Sequence, residues 1–338
     1  MKNKRPISIR FLISVATITL MLILLIFPKA SITGAEKGIL LWFNVIVPTL
    51  LPFIIVSNLI INLKLTTYIA RVFYPVLHKL FAVTKNGCYV IIIGLLTGFP
   101  VGAKACSDLV KSNMLSKEEG QYLLTFCNNA SPMFIISYIS ILTLGLTGLQ
   151  YHILGIVYLG ALLTALLYRI VHRINNKSFN TPYDSNTTER ITLKAADIPN
   201  RTSTLNQPKR ITFSIIDNAI MDGFDVITKV GGYIVLFSIL SNVILTILPM
   251  SSFYNLISVG LLEITNGINA IGTSSFSIAT KIALILPITA FGGISSIAQT
   301  KSVTDQSGLS IRTYIFYKAL NAGITLLLTI LFIELCKF

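Results

Sequence analysis

The sequence predicts an all-α, polytopic membrane protein whose two halves are each interrupted inside the membrane. Mean hydropathy is +0.76, and only 12% of the 338 residues are charged, whereas a soluble chain of this length needs far more charge to cover its surface. Two apolar runs end in glycine-rich breaks, and a weak internal repeat relates them. The lipid bilayer is therefore the expected surrounding of most of the chain.

The net charge of +14 does not indicate nucleic-acid binding, because the basic residues cluster in short loops beside apolar runs, as the positive-inside rule expects. The four cysteines and three histidines have no metal-ligand spacing. The sequence has no P-loop motif for nucleotide hydrolysis and no acid–base constellation of an enzyme. We expect no cofactor, no metal, no nucleic-acid partner and no enzymatic activity.

The first third of the chain contains two spanning segments and a surface helix. Basic residues precede the apolar run Phe11–Phe27, which predicts an uncleaved signal anchor with a cytoplasmic N-terminus. Ile39–Leu63 is long enough to span, although Pro48 and Pro52 should kink or split it. Residues 64–85 carry apolar side chains on one helical face, which is typical of a helix lying in the membrane interface.

The first break inside the membrane runs from Thr97 to Lys104 and contains Gly98, Pro100 and Gly102. The apolar segment before it makes roughly 18 Å of helix, which is too short for a hydrocarbon core of about 30 Å. Non-helical backbone at this depth is tolerated only where protein buries it or a watery cavity receives it. We therefore predict a re-entrant half-helix, followed by a second, polar break at residues 126–132.

The second half repeats this organisation after a hydrophilic linker. Phe213–Ile227 is amphipathic, Val230–Pro249 spans, and Glu263–Gly267 interrupts the next apolar region. Ile282–Phe291 is a short apolar piece ending in two glycines, which predicts the second half-helix. The last span, Thr313–Ile333, has Lys318 inside it.

An internal repeat relates the two breaks at an offset of 192 residues. Thr97 aligns with Thr289, Phe99 with Phe291, Tyr122 with Tyr314, and Asn129-Ala130 with Asn321-Ala322. The matches fall at the break, in the next helix and at the polar re-entry. Together with the count of crossings, they predict inverted repeats of the kind found in secondary transporters.

The sequence thus divides into five parts. They are an N-terminal signal-anchor helix (1–35), a first repeat (36–149), a connecting transmembrane helix (150–171), a basic cytoplasmic linker (172–211) and a second repeat (212–338).

Four motifs resemble those of the sporulation integral membrane proteins of the YlbJ type, over roughly residues 36–330. They are Gly98–Lys104, Phe126–Pro132, Leu262–Gly267 and Phe291–Gly293. The resemblance implies two copies of the nucleoside-recognition or Gate domain, here as inverted repeats that each contain a discontinuous re-entrant half-helix. It also implies an outer forespore membrane location and movement of dipicolinic acid out of the mother cell. Ser296 departs from the pattern, since a larger polar residue is expected there.

The candidate substrate-binding residues lie at these breaks. Lys104 could meet a substrate carboxylate or simply pair with Asp108 one turn away. Backbone N–H groups freed at the first break suit an anion, although a packing kink needs the same residue types. Amides and a hydroxyl at the polar break could contact substrate or bond between helices. The residues are Gly98, Pro100, Gly102, Lys104, Asn128, Asn129 and Ser131.

Glu263 is the main candidate in the second half, because it is the only acid between Val230 and Thr280. It could carry a proton, hold Lys104, or be a loop acid at the interface. Asn266 and Gln299 are weaker companions.

The leading functional expectation is a transporter or facilitator for a small anionic metabolite. A nucleoside or other small-molecule symporter is the first alternative. A sporulation membrane scaffold, working as a homo-oligomer or with other sporulation membrane proteins, is the second.

Overall fold

The computed structural model describes residues 9–63, 65–172, 213–247 and 253–336. Within these ranges every regular element is a helix, which confirms the predicted all-α class. Five helical runs are long and apolar enough to cross a membrane, or six if one bent pair is counted as a span. The predicted linker 172–211 lies, apart from His172, outside the described residues.

The first half and the helix that connects it to the second half contain eight α-helices and two π-helical segments within the described residues. They are α1 (Ile9–Ile26), α2 (Pro28–Leu41), a π-turn (Trp42–Ile46), α3 (Val47–Asn62), α4 (Leu65–Phe81), α5 (Lys85–Thr97), α6 (Val101–Lys111), α7 (Lys117–Phe126), a π-helix (Phe134–Thr143) and α8 (Gln150–Val171).

The second half has six α-helices in its described part. They are α9 (Ser214–Ile247), α10 (Phe253–Leu262), α11 (Ile264–Gly272), α12 (Ile278–Phe291), α13 (Gly293–Thr304) and α14 (Ile311–Cys336). A 3₁₀ turn (Asp305–Ser307) lies between α13 and α14.

Two long helical runs join segments that the sequence pattern separates. Residues 28–60 form one run of 33 residues, so Pro48 and Pro52 do not split it. In a regular α-helix the Pro48 ring would clash with the carbonyl of Asn44, four residues earlier. Asn44 lies in the π-turn Trp42–Ile46, and the wider π geometry accommodates the proline. Likewise α9 is a single helix of 34 residues, which merges the amphipathic segment with the span after it.

The surface helix α4 matches its prediction. It meets α5 at a bend of 97°, and its apolar side chains Val72, Phe73 and Val76 are exposed. An uncovered apolar face beside a spanning segment suits the membrane interface.

At the first break the chain folds back on itself. α5 has 13 residues and ends at Thr97, and Gly98 takes a positive φ of 76° before the cis Phe99–Pro100 bond. A Cβ atom added to Gly102 would lie only 2.8 Å from the Cα of Gly94. Because Gly94 belongs to α5 and Gly102 to α6, this close approach shows that α6 runs back along α5. The hairpin confirms the predicted discontinuity and requires glycine at both positions of close approach.

At the second break the chain changes course without folding back, which differs from the expected re-entrant hairpin. Gly292 alone separates α12 from α13 and has a φ of 90°. Residues 278–307 still form one run of 30 residues that is apolar enough to span. A joint of one residue leaves no room to reverse the chain, whereas three residues, 98–100, separate α5 from α6.

The two halves pack together through α9, which lies against α2 and α3, and also through helices near the breaks. α6 contacts α13, and α14 contacts α7 and α8. This arrangement brings the first break, the polar break after α7 and the second break close together.

Candidate functional site

The broken segments of both halves meet at one cavity of about 60 Å³, more than the roughly 10–15 Å³ that one water needs. Phe99 of the first break packs closely against Gly292 of the second. A Cβ atom added to Gly292 would lie only 2.9 Å from the Phe99 ring. The polar residues that line the cavity are Thr97 and Ser131 from the first half and Glu263, Thr265, Ser295, Ser296 and Gln299 from the second.

The helix α13 begins beside this cavity. It follows Gly292 and has no side-chain cap among the described residues. Ser295 and Ser296 of the first turn of α13 line the cavity. The N-terminus of a helix carries a partial positive charge and N–H donors, so this wall suits an anionic or hydrogen-bond-accepting group.

A buried polar network joins the polar break after α7 to the second half. The Asn128 Nδ2 donates to the Thr300 Oγ1 at 2.8 Å and to the Tyr314 hydroxyl at 2.9 Å. The Asn128 Oδ1 is buried and has no hydrogen-bond partner among the residues that the structure describes. Thr300 and Tyr314 belong to α13 and α14, so Asn128 ties the halves together.

Lys318 is the most unusual member of the network. Its side chain is fully buried in the first half of α14, and its Nζ donates to the Asn129 Oδ1 at 2.9 Å and to the Asn128 carbonyl at 3.3 Å. The Nζ also lies 5.2 Å from the centre of the Phe99 ring, within the range of a cation–π contact. Within the described residues, no carboxylate lies within 4.0 Å of it.

Glu263 is a buried acid in the cavity wall. It caps α11, since its two carboxylate oxygens accept from the Asn266 backbone N–H at 2.7 Å and the Thr265 hydroxyl at 3.0 Å. Among the residues described, no Lys or Arg forms an ion pair with it. It therefore does not hold Lys104, which was one of its expected roles.

The structure brings some of the predicted residues to the cavity and leaves others away from it. Ser131, Glu263 and Gln299 line the wall. Asn129 lies one layer behind it, bound to Lys318, and the Asn128 amide lies in the network described above.

The remaining predicted residues have other surroundings. The Lys104 side chain is 63% exposed and lies 4.0 Å from Asp108, which is the pairing that the sequence offered as its alternative role. Gly98 and Gly102 contact the backbone of the polar break at Ser131 and Cys127, Pro100 precedes α6, and the Asn266 amide donates to the Ser238 hydroxyl at 2.6 Å.

The structure adds residues that the sequence reasoning did not select. They are Phe99, Thr265, Ser295, Thr300, Tyr314 and Lys318. A lysine inside a predicted span is itself a signal, because a charge at that depth is costly and usually functional. In the described part of the chain, no three His, Cys, Asp or Glu side chains are grouped so as to hold a metal ion.

Comparison with known proteins supports a family. No family model matches the chain, and no solved structure matches it. The chain is 25% identical over 317 residues to the sporulation integral membrane protein YlbJ of Bacillus subtilis (strain 168). The alignment covers 87% of this chain and 75% of that protein. This extended similarity supports the YlbJ-type family of sporulation membrane proteins, and the apolar helices together with the relative's name indicate an integral membrane protein.

Proposed function

We propose that this protein is a transporter that moves a small anionic metabolite, dipicolinic acid, across the outer forespore membrane during sporulation. The observation that carries the proposal is the meeting of two broken membrane segments at one cavity. Substrate sites of many secondary transporters lie between repeats at such discontinuous helices. The sporulation name of the relative supports the biological setting.

The charges around the cavity favour an anion. The N-terminus of α13 and the Lys318 ammonium supply positive potential, and an anion would offset the cost of burying that ammonium. We further propose that the halves are Gate-type repeats of opposite orientation, with the N-terminus and the linker 172–211 on the cytoplasmic side.

A neutral ligand such as a nucleoside is the second candidate, and Glu263 favours it. A carboxylate in the cavity wall repels an anion but accepts hydrogen bonds from hydroxyl and amino groups. A symporter could also use this carboxylate to carry a proton.

Uptake into vesicles tests these candidates. Purified protein in vesicles should accumulate radiolabelled dipicolinate faster than protein-free vesicles do, because a site with net positive potential admits the dianion. Uridine measured in parallel is the matched comparison. Uptake of uridine alone would replace the proposal with the nucleoside alternative, and uptake of neither would favour a scaffold.

Cysteine labelling tests the orientation. Cys336 is the exposed native thiol among the described residues, so it is first replaced by serine, whereas Cys88, Cys106 and Cys127 are buried. In cells that express the protein in the plasma membrane, single cysteines at positions 5, 190 and 205 should react with a membrane-impermeant maleimide only after the membrane is opened, because the Lys/Arg bias predicts that these segments face the cytoplasm. Labelling of position 190 in such cells while they are intact would contradict the inverted arrangement.

A further inference from the structure

We propose that Lys318, held by Asn129, is the anion-binding group of the transport site and that it receives a carboxylate of the substrate. The inference rests on the proposed function and deepens it, since it names the cation that recognises the substrate.

The surroundings of Lys318 leave room for an anionic partner. An ammonium group has three N–H donors, and two of them are engaged by the Asn129 Oδ1 at 2.9 Å and the Asn128 carbonyl at 3.3 Å. Both acceptors are neutral. In the described ranges the ammonium has no carboxylate within 4.0 Å, so its charge is solvated by the protein but not neutralised.

Burial makes an unneutralised charge costly, and this cost is an argument for function. Taking a single ion out of water costs several kcal/mol even after the protein relaxes. A lysine near a helix end can extend its stem to the interface, but Lys318 is the eighth residue of a helix of 26 residues and is 0% exposed.

Phe99 connects this ammonium to the cavity. Its ring lines the cavity, lies 5.2 Å from the Lys318 Nζ and contacts Gly292 of the other break. Its backbone N–H donates to the Asn129 carbonyl at 2.9 Å, which fixes the base of the side chain beside the ammonium. Rotation of the ring would let a carboxylate in the cavity replace the weaker cation–π contact with a charge-assisted hydrogen bond.

Glu263 does not compete for this role, although it lines the same cavity. Its oxygens are engaged at the N-terminus of α11 by Asn266 and Thr265. One wall of the cavity therefore contains an acid that caps a helix, and an ammonium group without a counter-ion among the described residues lies behind another wall.

The test measures the concentration dependence of dipicolinate uptake into vesicles for five variants and the parent. Lys318→Gln keeps a donor for Asn129 but removes the charge, and Lys318→Met removes both, with a thermal melt to verify that each variant is folded. Lys104→Gln removes the exposed lysine beside the first break. Lys301→Gln is the matched control, because Lys301 is exposed and paired with Asp305 at 2.6 Å on the surface, and Lys301→Met controls for the apolar replacement.

We expect both Lys318 variants to raise KM roughly ten- to hundredfold, as the loss of a charge-assisted hydrogen bond predicts, while the Lys104 and Lys301 variants keep the parental KM. A parental KM in a folded Lys318→Gln variant would mean that the lysine only supports the polar break, and the inference would be wrong while the transport proposal stands. A raised KM in Lys104→Gln with a parental Lys318→Gln would move the cation to Lys104. A parent protein that takes up no dipicolinate would overturn both proposals.

Discussion

Replacing Gly102 with alanine should lower the free energy of unfolding by about 1–3 kcal/mol, the usual cost of inserting a methyl group into a packed site, and should abolish uptake. The added carbon would meet the carbonyl oxygen of Cys127 and would lie 2.8 Å from the Cα of Gly94. Both neighbours are backbone atoms, so neither can rotate away as a side chain would. The α5–α6 hairpin would have to open, and the polar break that contacts it would shift.

Gly155→Ala is the matched control for this prediction. Gly155 lies on the spanning helix α8, and a methyl group there would have no atom of the described residues within 4 Å. Alanine has a higher helix propensity than glycine by up to about 1 kcal/mol, so this variant should be as stable as the parent or more so. Thermal and denaturant unfolding of both variants in detergent measures the difference, and equal stabilities would show that the hairpin tolerates separation.

The position of each break could be predicted from the sequence because the signal is local. Gly98, Pro100 and Gly102 lie close together in an apolar segment, and the pair Gly292-Gly293 ends another; such residues weaken a helix locally. The signal is not decisive by itself, because the pair Gly231-Gly232 lies inside the continuous helix α9. The geometry of each joint could not be predicted in the same way. The first joint folds back because Gly94 and Gly102 meet, and such a contact depends on how distant segments pack.

The cation of the site illustrates the same limit. Sequence reasoning favoured Lys104 because it directly follows a break, but in the structure this side chain is exposed beside Asp108. Lys318 lies 189 residues from Asn129 in the chain and 2.9 Å from it in space. Nothing in the spacing of the two residues indicates this contact. Lys318 could still have been selected without knowledge of this contact, because a lysine inside a membrane span usually marks a functional site.

The internal repeat predicted the pairing of elements better than their form. The helices after the two breaks begin at Val101 and Gly293, which the repeat aligns with each other. The helices before the breaks end at Thr97 and Phe291, which differ from the repeat offset by two residues. The polar break at residues 126–132, however, aligns with a continuous stretch of α14. The first half has non-helical backbone where the second half has a helix that carries Lys318, and the two complement each other across the site.

Asn129→Asp should abolish dipicolinate uptake by giving Lys318 a permanent counter-ion. The substitution keeps an oxygen at the position that accepts from the Nζ at 2.9 Å and adds a negative charge there. A substrate carboxylate would then have to compete with a carboxylate that is already in place, and it would also be repelled by it. The amide that donates to the Phe126 carbonyl is lost as well, so some loss of stability is expected from that contact alone.

A double-mutant cycle separates the ion pair from this local cost. Asn129→Asp, Lys318→Met and the double variant are unfolded in detergent, and the coupling free energy between positions 129 and 318 is calculated. We expect the aspartate and the lysine to stabilise each other by about 1–3 kcal/mol, because the double variant leaves a buried carboxylate unpaired. A coupling near zero would mean that Lys318 carries no charge in this site, and full uptake by Asn129→Asp would mean that the substrate does not need the ammonium.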